Sequence, residues 1–443
     1  MLMRLLLAGL ALVAALLMLL FGPWPGPVTL GLSLLLAVAA LWMTEVIPVM
    51  ITALAVPLLA VLLGVFDVKA ALAAFSHPVL FLFLGGFALA SALKSQGLDL
   101  AMANAVIHLA GGRLWLAVLM LLLTAALLSM WISNTATAAM MLPLMLGLLQ
   151  RAGRLGANSL VFALLGLAYS ASIGGMGTLV GSPPNAIAAA YLKLSFLDWL
   201  ALGLPLVALL WPLMLAVLWW QHRPQLAKRM DWHQQGRLQW TGPRIMTLAI
   251  FALTVAGWML SGPLSRWLGG IAQFDSLVAL AAVVAIGATR VASWDNLKRD
   301  IDWGVLLLFG GGLTLSAVLK ETGTSAFLAE SLSGALGGAP QWLLLGAVAL
   351  FVVLLTELAS NTASAALLVP LFGGIAQGLG LDPRAMAMLI AFAASCAFML
   401  PVATPPNAIV FGSGQVPQLQ MMRSGLRLNL LCVLVLTLYF SLV

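Results

Sequence analysis

The sequence predicts an all-α protein that crosses a membrane many times. Of its 443 residues, 63% are hydrophobic and only 7% are charged, which is too little polar surface to cover a soluble globule of this size. Apolar segments of about 18 residues or more recur from end to end, each long enough to cross a bilayer as a helix. We therefore expect a polytopic bundle of about eleven transmembrane helices and two re-entrant hairpins.

Hydropathy and turn signals give the position of each expected crossing. The first apolar segment is interpreted as a membrane span and not as a cleaved signal, because "GPWPGP" follows it where a small-residue cleavage site would stand. The expected spans lie near 5–21, 28–43, 47–65, 78–95, 158–175, 199–220, 244–261, 275–291, 304–320, 383–400 and 424–442.

Two further apolar stretches, about 114–150 and 340–378, are each interrupted by a Ser-Asn-Thr triplet, at 133–135 and 360–362. If each stretch enters and leaves on the same side as a hairpin, 15 of the 20 Lys and Arg residues fall on the side of the N-terminus. Such an asymmetry is typical of cytoplasmic loops. The N-terminus is therefore predicted to be cytoplasmic, and the dispersed basic residues indicate orientation in the membrane, not nucleic-acid binding.

The two halves of the chain resemble each other. "SNTATAAMMLP" (133–143) parallels "SNTASAALLVP" (360–370), and "GSPPNAI" (181–187) parallels "ATPPNAI" (403–409). Because each repeat would contain five crossings and one hairpin, the second copy should be inverted relative to the first, which is typical of secondary transporters. The predicted organisation is a first helix and turn (1–27), a first repeat (28–220), a cytoplasmic linker (221–243) and a second repeat (244–443).

The apolar segments are broken at four places: the two triplets, and the proline-containing segments 174–185 and 399–407. One triplet alone could be a contact between helices, and one proline pair could be a kink. Four breaks at equivalent places in inverted repeats instead favour a single binding site near the midplane, since non-helical backbone survives there only where protein, water or ligand satisfies it.

The residues at these breaks suit an anion and a cation together. Helix N-termini and uncharged hydroxyl and amide groups suit an anion, and carbonyl, Asn and hydroxyl oxygens suit a hard cation such as sodium. All aspartates fall at predicted span ends or in loops, and for Glu45 and Glu357 a structural hydrogen-bonding role is favoured over proton coupling. No nucleophile and base pair, metal cluster or phosphate loop is evident, so neither an enzyme nor a cofactor is expected.

These motifs resemble those of the divalent anion:sodium symporter family, which carries C4-dicarboxylates, citrate or sulfate. The resemblance covers nearly the whole chain and is most specific in "SCAFMLPVATPPNAIV" (395–410) and in the two triplets. It implies a homodimer in the bacterial inner membrane, surrounded by lipid. It also implies an elevator mechanism, in which a transport domain carrying both hairpin tips slides against a scaffold domain.

The resemblance also implies residue roles. The expected substrate contacts are Ser133, Asn134, Thr135, Ser182, Ser360, Asn361, Thr362, Thr404 and Pro405. The expected ligands of a first sodium ion are Ser129, Ser133, Asn134 and the backbone of Gly181, and those of a second are Thr356, Asn361 and the backbone of Ala359 and Ala403. The resemblance therefore implies sodium-coupled import of a divalent carboxylate, such as succinate, malate or fumarate. The alternatives are a sodium-independent exchanger, a citrate or sulfate carrier of the same fold, and a channel-like or structural membrane protein.

Overall fold

A computed structural model describes residues 2–153, 155–229, 239–336, 340–379 and 381–442. Regular structure in these residues is helical, apart from one isolated bridge between Arg113 and Arg229. Eight of the described helices are long and apolar enough to cross a membrane, and further apolar helices are shorter. The predicted all-α membrane class is therefore confirmed.

The helices of the first half follow the predicted spans and hairpin. They are α1 (Leu2–Phe21), α2 (Gly26–Thr44), α3 (Val49–Leu62), α4 (Val68–Leu72) with a 3-10 turn (Ala73–Ser76), α5 (Pro78–Ser95), α6 (Leu98–Leu109), α7 (Leu114–Ser129), α8 (Asn134–Arg151), α9 (Ala157–Gly175), α10 (Pro183–Leu192) and α11 (Phe196–His222).

The helices of the second half end in a series that resembles the last helices of the first half. Its helices are α12 (Gly242–Met259), α13 (Ser261–Trp267), α14 (Phe274–Thr289), α15 (Trp294–Asp300), α16 (Trp303–Glu321), α17 (Thr324–Leu336), α18 (Gln341–Thr356), α19 (Asn361–Gly378), α20 (Pro383–Ala394), α21 (Pro405–Gly412) and α22 (Gln418–Leu442). The middle of the predicted linker, residues 230–238, lies outside the described residues.

Helices α5 to α11 and α16 to α22 correspond in order. Each series contains a long helix, a short helix, a hairpin, a helix broken in two, and a closing long helix. The short helices α6 and α17 were not predicted, because their lengths are below that of a membrane span. The span predicted at 383–400 is helical only as far as Ala394.

The broken helices of the two halves interlock. Helix α10 packs against α19 and α20, whereas α21 packs against α8 and α9, so each broken helix contacts the hairpin of the other half. Small residues allow close approach elsewhere, since a Cβ added to Gly85 of α5 would lie only 2.6 Å from the Cβ of Ala279 of α14. This interlocking brings the four breaks of the chain to one region.

Candidate functional site

Each triplet marks the point where a hairpin turns and its second helix begins. Ser133 caps α8 by accepting a hydrogen bond from the Ala136 N–H at 3.3 Å, and Ser360 caps α19 by accepting one from the Ala363 N–H at 3.4 Å. Serine is among the preferred N-cap residues, because its hydroxyl satisfies a backbone donor that the helix leaves unpaired. The apolar stretch therefore breaks at the serine of each triplet.

The asparagine of each triplet is fixed by a hydroxyl five residues earlier. Ser129 Oγ donates to Asn134 Oδ1 at 2.6 Å, and Thr356 Oγ1 donates to Asn361 Oδ1 at 2.5 Å. Ser129 and Thr356 each end the first helix of their hairpin, so the same bond closes both turns. Two of the four ligands predicted for each sodium ion thus form a matched pair in each half.

Carbonyl oxygens complete the surroundings of the first pair. A Cβ added to Gly181 would lie 2.6 Å from the carbonyl oxygen of Gly175 and 3.0 Å from that of Ser129. Gly175 in turn lies directly against Asn134 Oδ1. We call the oxygens of Ser129, Asn134 and Gly175 the first oxygen cluster; a set of neutral oxygens brought close together at a glycine suits a hard cation.

The second pair has a comparable environment. Thr356 Oγ1 lies 2.9 Å from the carbonyl oxygen of Ala394, the last residue of α20. We call the oxygens of Thr356, Asn361 and Ala394 the second oxygen cluster. Ala359 is buried in the turn just before the triplet.

Two asparagines that were not assigned a role hold the broken helices. Asn185 Nδ2 donates to the carbonyl oxygens of Gly175 and Thr178, at 2.8 and 2.7 Å. Asn407 Nδ2 donates to the equivalent carbonyl oxygens of Ala397 and Leu400, each at 3.1 Å. Within the described residues, the Oδ1 atom of each is buried and accepts no hydrogen bond. The signal was present in the repeated "PPNAI", of which the asparagine is the only polar member.

The four breaks line a single cavity of about 730 Å³. The predicted site residues on its wall are Ser133, Asn134, Thr135, Gly181, Ser182, Ser360, Asn361, Thr362, Ala403, Thr404 and Pro405. Ser129, Thr356 and Ala359 are not on the wall, but the first two touch it through their asparagine partners. The structure therefore gathers the predicted residues in one place.

Charged side chains lie on a different wall of the cavity. The carboxylate of Asp300 accepts hydrogen bonds from Lys94 Nζ at 3.0 Å, Arg299 Nε at 3.2 Å and Ser91 Oγ at 2.9 Å. Partial burial raises the pKa of Asp300, but these hydrogen bonds outweigh it and hold the pKa below its usual value. Glu45 and Asp302 also line this wall, whereas the hairpin tips and helix breaks contribute only neutral side chains.

The two hairpin tips differ in how they are covered. Trp131, in the first tip, stacks on Phe196 of α11 at 6.0 Å between ring centroids, and Phe196 stacks on Trp258 of α12 at 4.8 Å. Leu358 occupies the position of Trp131 in the second tip, and 71% of its surface is exposed. Trp131 is therefore covered by neighbouring helices, whereas Leu358 at the equivalent position is exposed.

Apolar helices that break around a polar cavity, in matching places of two halves, define a membrane transporter. The citrate transporter family model matches residues 39–391. An uncharacterized transporter of Haemophilus influenzae is 53% identical over 91% of this chain and 89% of its own length. The sodium-dependent dicarboxylate transporter SdcS of Staphylococcus saprophyticus is 32% identical over 92% of this chain and 85% of its own length.

The chain therefore belongs to the citrate transporter family, and the resemblance to the divalent anion:sodium symporters is confirmed. It is a multi-pass membrane transporter and not an enzyme. This chain is also similar to the crystal structure of the Alcanivorax borkumensis YdaH transporter. The match covers 94% of this chain and 98% of the YdaH chain, with a TM-score of 0.59 and 14% sequence identity. At that identity, the likeness supports the fold alone.

Proposed function

We propose that this protein imports small dicarboxylates, such as succinate, malate or fumarate, together with sodium ions. The observation that carries the proposal is the matched pair of hydroxyl and asparagine oxygens in the two tips, Ser129 with Asn134 and Thr356 with Asn361, beside one cavity. The relationship to a sodium-dependent dicarboxylate transporter supports it.

The anion is bound by dipoles. The N-termini of α8 and α19 bring unpaired backbone N–H groups and partial positive charge to the cavity. Thr135 and Thr362 add a hydroxyl donor from each tip, and Ser182, the N-cap residue of α10, adds a buried hydroxyl that makes no capping hydrogen bond. Because the two tips are equivalent, each can receive one carboxylate of a short dicarboxylate.

Sodium supplies the positive charge that the residues of the hairpin tips and helix breaks lack. A dianion in a low-dielectric cavity lined by neutral tips is poorly stabilised by dipoles alone, and sodium ions at the two oxygen clusters would offset its charge. The anion in turn offsets the charge of the ions. Each ligand therefore stabilises the other, and this mutual stabilisation is the physical basis of coupling.

Alternating access is proposed to follow the elevator pattern. In this proposal, the covered Trp131 and the exposed Leu358 belong to one end of the motion, and inverted repeats allow the opposite arrangement at the other end. The transport domain would comprise the hairpins, the broken helices, α11 and α22, and the scaffold domain the earlier helices of each half. The proposal places a homodimer in the bacterial inner membrane, in contact with lipid, with the N-terminus in the cytoplasm.

Uptake of labelled succinate into proteoliposomes, with sodium or potassium gradients and with or without internal succinate, tests this function. A symporter accumulates succinate only with a sodium gradient. Uptake that requires internal substrate and ignores sodium would indicate an exchanger, and uptake without saturation would indicate a channel. Citrate is the second candidate substrate, because the matching family is described as citrate transporters; competition by unlabelled citrate, malate and sulfate ranks the substrates.

A further inference from the structure

One buried carboxylate lies at the second hairpin tip and faces away from the cavity wall. Glu357 directly follows Thr356, is 4% exposed, and accepts four hydrogen bonds. Its donors are the backbone N–H groups of Phe398, Met399 and Leu400, at 2.8, 2.8 and 3.0 Å, and Asn429 Nδ2 at 2.7 Å. Hydrogen bonds to an ionised acceptor are about twice as strong as neutral ones, so this carboxylate strongly orders the segment it holds.

The first half has no such carboxylate. Met130 occupies the position of Glu357 in the first tip, and its backbone carbonyl accepts a hydrogen bond from the Thr178 hydroxyl. In the first broken segment, the N–H groups of Met176 and Gly177 donate to the carbonyls of Ile173 and Gly174, at 3.1 and 2.9 Å, and not to a carboxylate. The two halves therefore hold their broken segments by different means.

This difference acts on the second oxygen cluster. The N–H groups of residues 398–400 point to Glu357, while the carbonyl oxygens of Ala397 and Leu400 point the other way, to Asn407. The carboxylate thus orients the backbone that connects Ala394, a member of the cluster, to Ala403. Glu357 is also the one buried ionisable group among the described residues of the two tips, and it directly follows Thr356 in the chain.

We propose that Glu357 is a positioning residue for sodium, which orients and electrostatically favours the second oxygen cluster and makes it the tighter of two unequal sodium sites. This inference rests on the proposed sodium-coupled function. Residues that orient metal ligands from outside the ligand shell alter metal affinity by about 10- to 100-fold when they are replaced. The first oxygen cluster, with Met130 in this position, lacks that support.

The test is the sodium dependence of succinate uptake by full-length Glu357→Gln in proteoliposomes. Glutamine keeps the size of the side chain but removes its charge and one acceptor. We expect the half-saturating sodium concentration to rise about 10- to 100-fold, with the maximal rate recovered when sodium is raised. Glu321→Gln, the same change at an exposed position at the end of α16, should leave the sodium dependence as in the wild type.

A second measurement is stabilisation by sodium without substrate. Sodium chloride, compared with choline chloride, should raise the melting temperature of the wild type at low concentration and that of Glu357→Gln only at high concentration. Should the glutamine variant fail to fold, Asn429→Ala, which removes one donor and keeps the charge, is measured in its place. For Asn429→Ala, a rise in the half-saturating sodium concentration that is smaller than the one expected for Glu357→Gln supports the proposal.

Unchanged sodium dependence in a folded variant would overturn the inference. So would a loss of maximal rate that high sodium does not restore, because that outcome indicates a structural role only. Sodium-independent uptake by the wild type would instead overturn the proposed function, so the two failures can be told apart.

Discussion

Replacing Gly181 by alanine should push apart the oxygens of the first oxygen cluster and weaken sodium binding there. The added Cβ would lie 2.6 Å from the Gly175 carbonyl oxygen and 3.0 Å from that of Ser129, both of which are backbone atoms that cannot rotate away. Gly181 is not among the residues with positive φ, so alanine adds no backbone strain of its own. The effect therefore reports on the space between the oxygens.

The size of the effect follows from the cost of overpacking. Forcing one extra carbon into a packed region typically costs about 1–3 kcal/mol. About 1.4 kcal/mol corresponds to a factor of ten in a binding constant. Where this cost falls on the sodium-bound state alone, the half-saturating sodium concentration should rise by about 5- to 150-fold. The affinity for succinate should fall when sodium is subsaturating, and recover as sodium is raised.

The assay is succinate uptake over a range of sodium concentrations. Gly147→Ala is the matched control, because Gly147 lies in α8 of the same hairpin and an added Cβ would meet no atom within 4 Å. Its sodium dependence should equal that of the wild type, and its stability should be unchanged or slightly higher. If Gly181→Ala and Gly147→Ala show the same sodium dependence as the wild type, the first oxygen cluster is not a sodium site.

Three further predictions concern other parts of the site. Asn134→Ala or Asn361→Ala should abolish sodium-driven uptake while the protein stays folded and inserted, as judged by gel filtration in detergent; full transport by either variant would count heavily against the assignment. Asn407→Asp should lower the melting temperature, because aspartate cannot donate to the two carbonyls and each lost hydrogen bond costs about 0.5–1.5 kcal/mol; an unchanged melting temperature would contradict its role in holding the break. Asp300→Asn should lower the melting temperature at neutral pH. Since the folded-state pKa of Asp300 lies below its unfolded value of about 3.9, its contribution is present above that value and lost as pH falls through the folded-state pKa, so a difference that stays constant down to pH about 3 would refute it.

The helices and the breaks were predictable because their signals are local. Apolar length identifies the spans, serine at an N-cap identifies the start of α8 and α19, and tandem prolines identify the start of α10 and α21. The hairpin limits expected at 114–150 and 340–378 differ from the observed helices by about one residue at either end. The limits assigned to the repeats and to the linker remain predictions.

Contacts between the halves were not predictable, because they join residues that are far apart in sequence. The Tyr169 hydroxyl donates to the Phe398 carbonyl at 2.8 Å and so ties α9 to the second broken segment. The early end of α20 at Ala394 has the same origin. Residues 395–404 are held without a helix partly by Glu357, from the second hairpin tip, and by Asn407, from beyond the break.

The short helices were missed for a different reason. Helix α6 (Leu98–Leu109) has 12 residues and α17 (Thr324–Leu336) has 13, which is below the length at which hydropathy alone indicates a crossing. Each lies between a long helix and a hairpin, in a gap between the expected spans.

The most direct test is the affinity of the purified protein for succinate, measured by calorimetry in sodium chloride and in choline chloride. If neutral oxygen clusters and a dianion stabilise each other, succinate binds tightly only with sodium, and succinate raises the affinity for sodium by the same factor. Equal succinate affinity in the two salts would contradict the account.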